Sequence, residues 1–295
     1  TMHKSGFVNI VGNPNVGKST LMNTLVGERI SIITSKAQTT RHRIMGIVNG
    51  EDFQIVYSDT PGVLKPNYKL QESMLGFSTS ALKDADILLY VTDTVENGMK
   101  NSDFIEKVKK QHAPVLLIIN KIDLTDQQKL EALVAQWKEI LPNAEIIPVS
   151  AANKFNIDYV LKRIKDLLPE CPPYFEKDAL TDKPARFFVT EIIREKILTN
   201  YDREIPYAVE VVVEQFKESD DLIRINAVIN VERDTQKGII IGKGGKMLKI
   251  VGTEARKDIE AFFGKKVFLE LFVKVEKDWR NKEMKLKSFG YDADI

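Results

Sequence analysis

The chain has one cysteine, Cys171, and only three histidines, His3, His42 and His112, among 295 residues. A single thiol excludes an internal disulfide framework and fits a reducing cytoplasm. Three scattered histidines have no metal-ligand spacing, which excludes a zinc site. No apolar run reaches the ~18–20 residues of a membrane span. The opening TMHKSGFVNIVG lacks a leader-peptide pattern, and Thr1 ahead of Met2 reads as an expression remnant. A large net charge is missing too, since 43 basic residues face 42 acidic ones. What is present is 43% apolar and 29% charged, the composition of a globular chain long enough for two cores.

The near-zero balance hides an uneven distribution. Residues 173–232 hold 8 basic and 13 acidic side chains, whereas Arg233 to Lys287 hold 15 basic and 8 acidic. A neutral chain with one basic stretch points to a local polyanion contact. Up to Leu168, short apolar runs (FVNIVG, DFQIVYSD, DILLYVTD, PVLLIINK, AEIIPVS) alternate with helical patterns over 18–27, 72–83, 101–111, 126–141 and 157–168. That order predicts a mostly parallel sheet with helices on both faces. RIMGIVNGEDFQIVY adds one antiparallel hairpin through Asn49-Gly50. PECPPYFEKDALTDKP, with four prolines, then breaks the pattern. The division expected is a first domain over 1–172, a linker over 173–184 and a small α+β domain over 185–295 that ends in a basic tail.

GNPNVGKST, from Gly12 to Thr20, fits G-x-x-x-x-G-K-[ST] after a strand and before a helix. Gly12 and Gly17 let the backbone of Asn13, Pro14, Asn15 and Val16 wrap a polyphosphate with its N–H groups inward. The following helix N-terminus adds positive potential. Lys18 is expected on the β- and γ-phosphates, and the Ser19 hydroxyl on Mg²⁺. Asp59, Thr60, Pro61 and Gly62 spell DTPG at a strand end, where Asp59 can hold Mg²⁺ through water and the Gly62 N–H can meet the γ-phosphate. A threonine in TTRHR (39–43) can complete the metal shell. Asn120, Lys121 and Asp123 of NKID end another strand, and the Asp123 carboxylate can accept from guanine N1–H and its amine. Adenine has neither donor, so a buried Asp123 would be left unpaired against it. Ser150, Ala151 and Ala152 close the base pocket with backbone N–H groups. Four motifs in order, each at a strand or loop boundary, predict a GTP site.

These motifs resemble those of the translation-factor-related GTPases. KAQTTRHRIMGI and DTPGVLKPNYKL are similar to the Era family of bacterial GTPases, over essentially the whole chain. The fold this implies is an α/β P-loop GTPase domain followed by a small α+β KH domain. The resemblance makes Thr40 the magnesium ligand of the Thr39-Thr40 pair, and makes the loops around 34–43 and 62–72 the nucleotide-sensing switches. Lys18, Thr40, Gly62 and Asn15 are then the catalytic set. Val63 stands where Ras-like proteins place a water-orienting glutamine, so slow hydrolysis is expected. In similar GTPases an asparagine at the place of Asn15 holds a potassium ion; the alternative is that Asn15 only braces its loop.

A second glycine–lysine cluster, KGIIIGKGGK, misses the phosphate-loop spacing, because three residues separate Gly238 from Gly242 and Gly244 replaces the Ser or Thr. Gly242, Lys243, Gly244 and Gly245 instead fit the G-x-x-G turn between the paired helices of a KH domain. Ile241 is expected to wall a groove for bases, and Lys243, Lys246 and Lys249 to contact RNA phosphates. Lys237 to Val251 contains no acid. The family resemblance implies a GTP-controlled RNA chaperone that binds the 3′ end of small-subunit ribosomal RNA during assembly of that subunit. It further implies a monomer in the cytoplasm with a peripheral contact to the inner membrane. The rival readings are a metabolic phosphotransferase, which lacks a second catalytic constellation, and a GTP-gated membrane signalling module.

Overall fold

The structure, a computed structural model, describes residues 2–27, 40–63, 66–96, 102–179, 183 and 185–291. They form two compact units, the second made of the residues from Lys183 onward together with Tyr68–Leu70. Thr39 and the other residues of the 34–43 loop before Thr40 lie outside the described residues, as do residues 64 and 65 of the 62–72 loop.

In the first unit the strands are β1 (Lys4–Gly12), β2 (Ile44–Asn49), β3 (Phe53–Asp59), β4 (Ile87–Asp93), β5 (Val115–Asn120) and β6 (Glu145–Pro148). Its helices are α1 (Lys18–Val26), α2 (Lys69–Ser80), α3 (Ser102–Lys110), α4 (Gln127–Ile140) and α5 (Ile157–Leu167). The sheet order is β2-β3-β1-β4-β5-β6, with every pair parallel except β2–β3. The central strands are apolar on both faces because helices cover both; Ile87 to Val91 are all buried. Leu88, Tyr90, Leu117, Ile119 and Trp137 belong to one core under this cover.

Two local expectations shift. The hairpin turn is Gly50 to Asp52, closed by Gly50 N–H to the Phe53 carbonyl at 2.9 Å. Asn49 stays in the ladder opposite Gln54, whose amide donates to the Asn49 side chain at 2.8 Å. Helix α2 begins a turn earlier than the 72–83 pattern suggests, because the Gln71 side chain accepts from Asn67 N–H at 2.9 Å. The beginning of the proline-rich stretch is held on the first unit. Fully buried Gln54 accepts from the N–H groups of Tyr174 and Phe175 at 2.8 and 3.1 Å and donates to the Phe175 carbonyl at 3.0 Å.

The second unit holds α6 (Ala185–Asn200), β7 (Glu210–Glu218), β8 (Leu222–Val231), α7 (Asp234–Ile241), α8 (Lys246–Phe263), β9 (Lys266–Val275) and α9 (Glu283–Ser288). Strands β7 and β8 pair antiparallel, and β8 and β9 pair parallel. A parallel pair needs a crossover, which α7 and α8 supply. Helices α6 and α8 bury Val189, Ile193, Val251, Ala255 and Ile259 in one core with the inward residues of β7, β8 and β9. The expected basic tail is not a tail. Trp279, Leu286 and Tyr291 are buried, and the Trp279 indole donates to the Ala208 carbonyl at 2.8 Å. No helix among the described residues is long and apolar enough to cross a membrane.

Trp279 is fully buried and packs edge-on against Phe289 at 5.6 Å between ring centroids. Trp279→Ala should therefore destabilise the second unit by about 3–5 kcal/mol through lost burial and a cavity. Urea unfolding followed by far-ultraviolet circular dichroism measures this. A loss below ~1 kcal/mol would show that the C-terminal segment is not part of the core.

Candidate functional site

A parallel ladder brings the carboxyl ends of its strands to one edge, where open α/β sheets bind ligands. Register places Ile10 beside Asp59, Gly12 beside Val91 and Asp93 beside Asn120. Three sequence motifs therefore meet at this edge. Gly17, with φ of 92°, lets the chain turn from β1 into α1. A Cβ on Gly62 would stand 2.7 Å from Pro14 Cα, so DTPG lies directly on the phosphate loop. Val63 N–H closes that contact by donating to the Gly12 carbonyl at 2.9 Å. Val63 itself is buried in the core, an apolar side chain that has no means of orienting water.

Ser19 Oγ lies 3.0 Å from Thr40 Oγ1 and donates to Asp59 Oδ2 at 3.1 Å. Two hydroxyls and a carboxylate, all buried, make a hard oxygen donor set that fits Mg²⁺. Asp59 Oδ1 accepts from Thr60 N–H at 2.9 Å, which fixes the carboxylate plane. The Thr60 hydroxyl ties back to the Ile10 carbonyl at 2.8 Å, and Ser78 donates to the Pro61 carbonyl at 2.7 Å. Lys18 is buried and donates to the Asn13 carbonyl at 3.0 Å. Burial pushes its ammonium below the ordinary lysine range, opposed by the charges of Asp59 and Glu96.

Asn120 joins two loops. Its amide donates to the Val16 carbonyl at 2.9 Å, and its side-chain oxygen accepts from Ala151 N–H at 3.0 Å. That N–H, expected near a guanine oxygen, is therefore occupied. Asp123 is exposed and accepts from Ser150 Oγ at 3.0 Å, so only a bound base can bury it. Lys121 has a left-handed backbone (φ 62°) and pairs with Asp93 at 2.8 Å while also donating to the Asn15 carbonyl. Asn15 is likewise left-handed, at φ 65°, and exposed, and its side chain makes no hydrogen bond to a described residue. Sequence reasoning missed Thr92, Asp93 and Glu96, which no motif spacing marks.

In the second unit Gly242 to Gly245 separates α7 from α8. Gly242, Gly244 and Gly245 take φ of 75°, 64° and 76°, values that L side chains disfavour. A Cβ on Gly242 would also meet Met247 Cβ at 2.7 Å. Lys243, Lys246 and Lys249 are all exposed beside this turn. The three isoleucines ahead of it divide: Ile240 is core, Ile239 is 52% exposed and Ile241 is half-buried. A groove of about 370 Å³ runs on from Gly245, floored by Leu248, Leu269 and Leu271 and edged by Lys249 and Arg256. An apolar floor between cations suits a single-stranded nucleic acid, whose bases are flat and apolar and whose backbone is anionic.

Comparison with known proteins agrees in both halves. Residues 7–121 match the family described as 50S ribosome-binding GTPase, and residues 204–280 match the KH domain. The GTPase Era of Staphylococcus haemolyticus is 46% identical over 296 residues, covering 100% of this chain and 99% of its own. A variant of Aquifex aeolicus Era, solved bound to GDP·AlF4⁻, superposes with a TM-score of 0.93 at 38% identity, over 98% of this chain and 99% of that one. The same similarity and coverage hold for Era solved with MgGDPNP and nucleotides 1506–1542 of 16S ribosomal RNA. With a relative this similar along its whole length and a KH domain behind the nucleotide motifs, the chain belongs to the Era family of GTPases.

Proposed function

We propose that the protein binds and slowly hydrolyses GTP, and that it is an RNA chaperone acting on the 3′ end of small-subunit ribosomal RNA during assembly of that subunit. The observation that supports this most is the pairing of two glycine–lysine loops in one chain. One abuts an oxygen donor cluster, the other a basic-edged apolar groove. The description of the matched nucleotide-binding family names the 50S subunit, but that match covers residues 7–121 alone. The choice of the small subunit rests on the full-length relative solved with 16S ribosomal RNA.

In this reading Gly12, Asn13, Pro14, Asn15, Val16, Gly17 and Lys18 cradle the β- and γ-phosphates with backbone N–H groups and one ammonium. Ser19, Thr40 and Asp59 would hold Mg²⁺, which supplies charge neutralisation on the phosphates. Thr20, Thr60, Pro61 and Gly62 complete the phosphate side, and the Gly62 N–H faces the γ-phosphate. Asn120, Lys121, Asp123 and Ser150 hold the base, with the Ala152 N–H left to meet the guanine oxygen because Asn120 occupies that of Ala151. Val63 contributes no polar group, so turnover would rest on Lys18 and backbone donors, with Asn15 either holding a monovalent cation or bracing its loop. RNA phosphates pass over Gly242 to Gly245 and against Lys243, Lys246 and Lys249, with Ile241 and the leucine floor under the bases. The protein works in the cytoplasm as a monomer. Any membrane contact is peripheral, since no described helix is long and apolar enough to cross a bilayer.

Three measurements test this. Asp123→Asn presents a donor to the guanine donors, so titration calorimetry should show GTP weakened by ~2–4 kcal/mol and xanthosine nucleotides favoured. Undiminished GTP affinity would remove Asp123 from the base pocket. Potassium should accelerate hydrolysis over sodium at equal ionic strength, and Asn15→Ala should abolish most of that difference; equal rates in both salts leave only a bracing role. The paired change Lys243→Asp and Gly244→Asp puts two carboxylates where phosphates pass. The fold should survive, since nothing lies within 4 Å of a Cβ at Gly244 and a left-handed aspartate costs about 1 kcal/mol. Binding to a 3′-terminal small-subunit RNA should fall at least ~10²-fold with a flatter salt slope, and GTP affinity should stay within about twofold. Full RNA affinity in the folded variant would show that the grip lies elsewhere.

A further inference from the structure

Strand β4 ends in a buried pair, Thr92 and Asp93, and the chain then turns through Thr94 and Val95 to Glu96. The turn is built by Asp93, whose Oδ1 accepts from the N–H groups of Val95 and Glu96 at 2.9 and 2.8 Å. That geometry swings the Glu96 carboxylate back over the strand end. Glu96 Oε1 accepts from the Thr92 hydroxyl, and Oε2 accepts from the Asn13 amide at 2.8 Å. Asn13 is the second residue of the phosphate loop, 2% exposed, and its carbonyl in turn receives the Lys18 ammonium at 3.0 Å. A chain of hydrogen bonds therefore runs from Thr92 through Glu96 and Asn13 to Lys18.

A carboxylate beside a site for a polyphosphate is unfavourable unless it does something there. Its repulsion of the ligand must be outweighed by an arrangement of the loop that a neutral, unbraced site would lack. The Asn13 amide is buried, and a charge-assisted bond is the strong way to fix a buried amide. The same turn also holds the base side. Asp93 Oδ2 pairs with Lys121 at 2.8 Å, and the Thr94 hydroxyl donates to the Lys121 carbonyl at 2.9 Å.

We infer that Glu96 is a positioning residue of the GTP site, holding Asn13 so that the phosphate loop stays in its anion-binding form around Lys18. The inference rests on the first unit being a GTP site. Nucleotide binding by the parent protein checks that separately, since a parent that fails to bind GDP overturns the GTP reading whatever Glu96 does.

The test is a double-mutant cycle on the full chain, read as Kd for GDP and for a non-hydrolysable GTP analogue. Glu96→Ala and Asn13→Ala should each weaken both nucleotides by roughly 10-fold, the loss of one charge-assisted bond. The double variant should be no weaker than Glu96→Ala, because the Asn13 contact is already lost there. Glu96→Gln keeps an acceptor for Asn13, while its amide nitrogen can donate to the Thr92 hydroxyl, which then turns from donor to acceptor. It should therefore return affinity to within about threefold of the parent. A residue that only stabilises the fold would produce neither the non-additivity nor the rescue. Parent-like affinity in Glu96→Ala, additive losses in the cycle, or a Gln variant as weak as the Ala variant would each overturn the assignment. Should Glu96→Ala fail to fold, Asn13→Ala carries the test, and parent-like affinity there overturns it equally.

Discussion

The nucleotide site depends on a run of parallel strands, β1 and β3 to β6, that end on the same edge of the sheet. Four loops leave β1, β3, β4 and β5 there, with Asp59 beside Ile10, Gly12 beside Val91 and Asp93 beside Asn120. Each loop carries polar groups that would be costly inside a core: Asp59, Thr92 and Asn120 are almost wholly buried. None can be left without a partner, since an unsatisfied buried polar group costs on the order of 1–3 kcal/mol. The fold meets that constraint by letting the loops bind one another. Asp59 takes Ser19, Asn120 takes Val16 and Ala151, and Glu96 takes Asn13. Preorganisation of the site is a by-product of satisfying its own buried groups.

This cross-bracing separates what must be rigid from what must respond to nucleotide. Phosphate loop, DTPG and NKID touch through backbone carbonyls and short side chains, with little rotamer freedom to lose on binding. Asp123 and Asn15 behave differently. Both are exposed, and Asn15 offers a side chain without a hydrogen-bonding partner among the described residues. Such groups gain their partners from the ligand, so they discriminate between ligands where the buried ones only hold shape.

The second unit solves a different problem. A parallel β8–β9 pair requires a long crossover, and two helices joined by a four-residue turn provide it. Three glycines with positive φ leave Lys243 alone to project a side chain from that turn. A nucleic-acid backbone can thus come as near as backbone N–H groups allow, while leucines from α8 and β9 offer a flat apolar floor. The C-terminal segment packs into the domain through Trp279, Leu286 and Tyr291, so a run as charged as KVEKDWRNKEMKLK still belongs to a core.

Periodicity and motif spacing sufficed for the alternation of strands and helices, the phosphate loop, DTPG, NKID and the G-x-x-G turn. These are local signals: a glycine that must be left-handed, or an apolar run covered on both faces, is written in adjacent residues. The buried Trp279 was not legible, because its partner Ala208 lies 71 positions away and the residues on either side, Asp278 and Arg280, are charged. Nor was the occupied Ala151 N–H, which depends on where Asn120 arrives from another strand. Glu96 shows the limit most clearly. In sequence it is one acid in a polar turn; beside Asn13, 83 residues earlier, it becomes part of the phosphate loop. Sequence alone determined which chemistry this protein carries, because that chemistry needs particular residues at short spacing. Tertiary structure decided which groups remain available to a ligand, because a donor's partner is chosen by what the fold brings within about 3 Å of it.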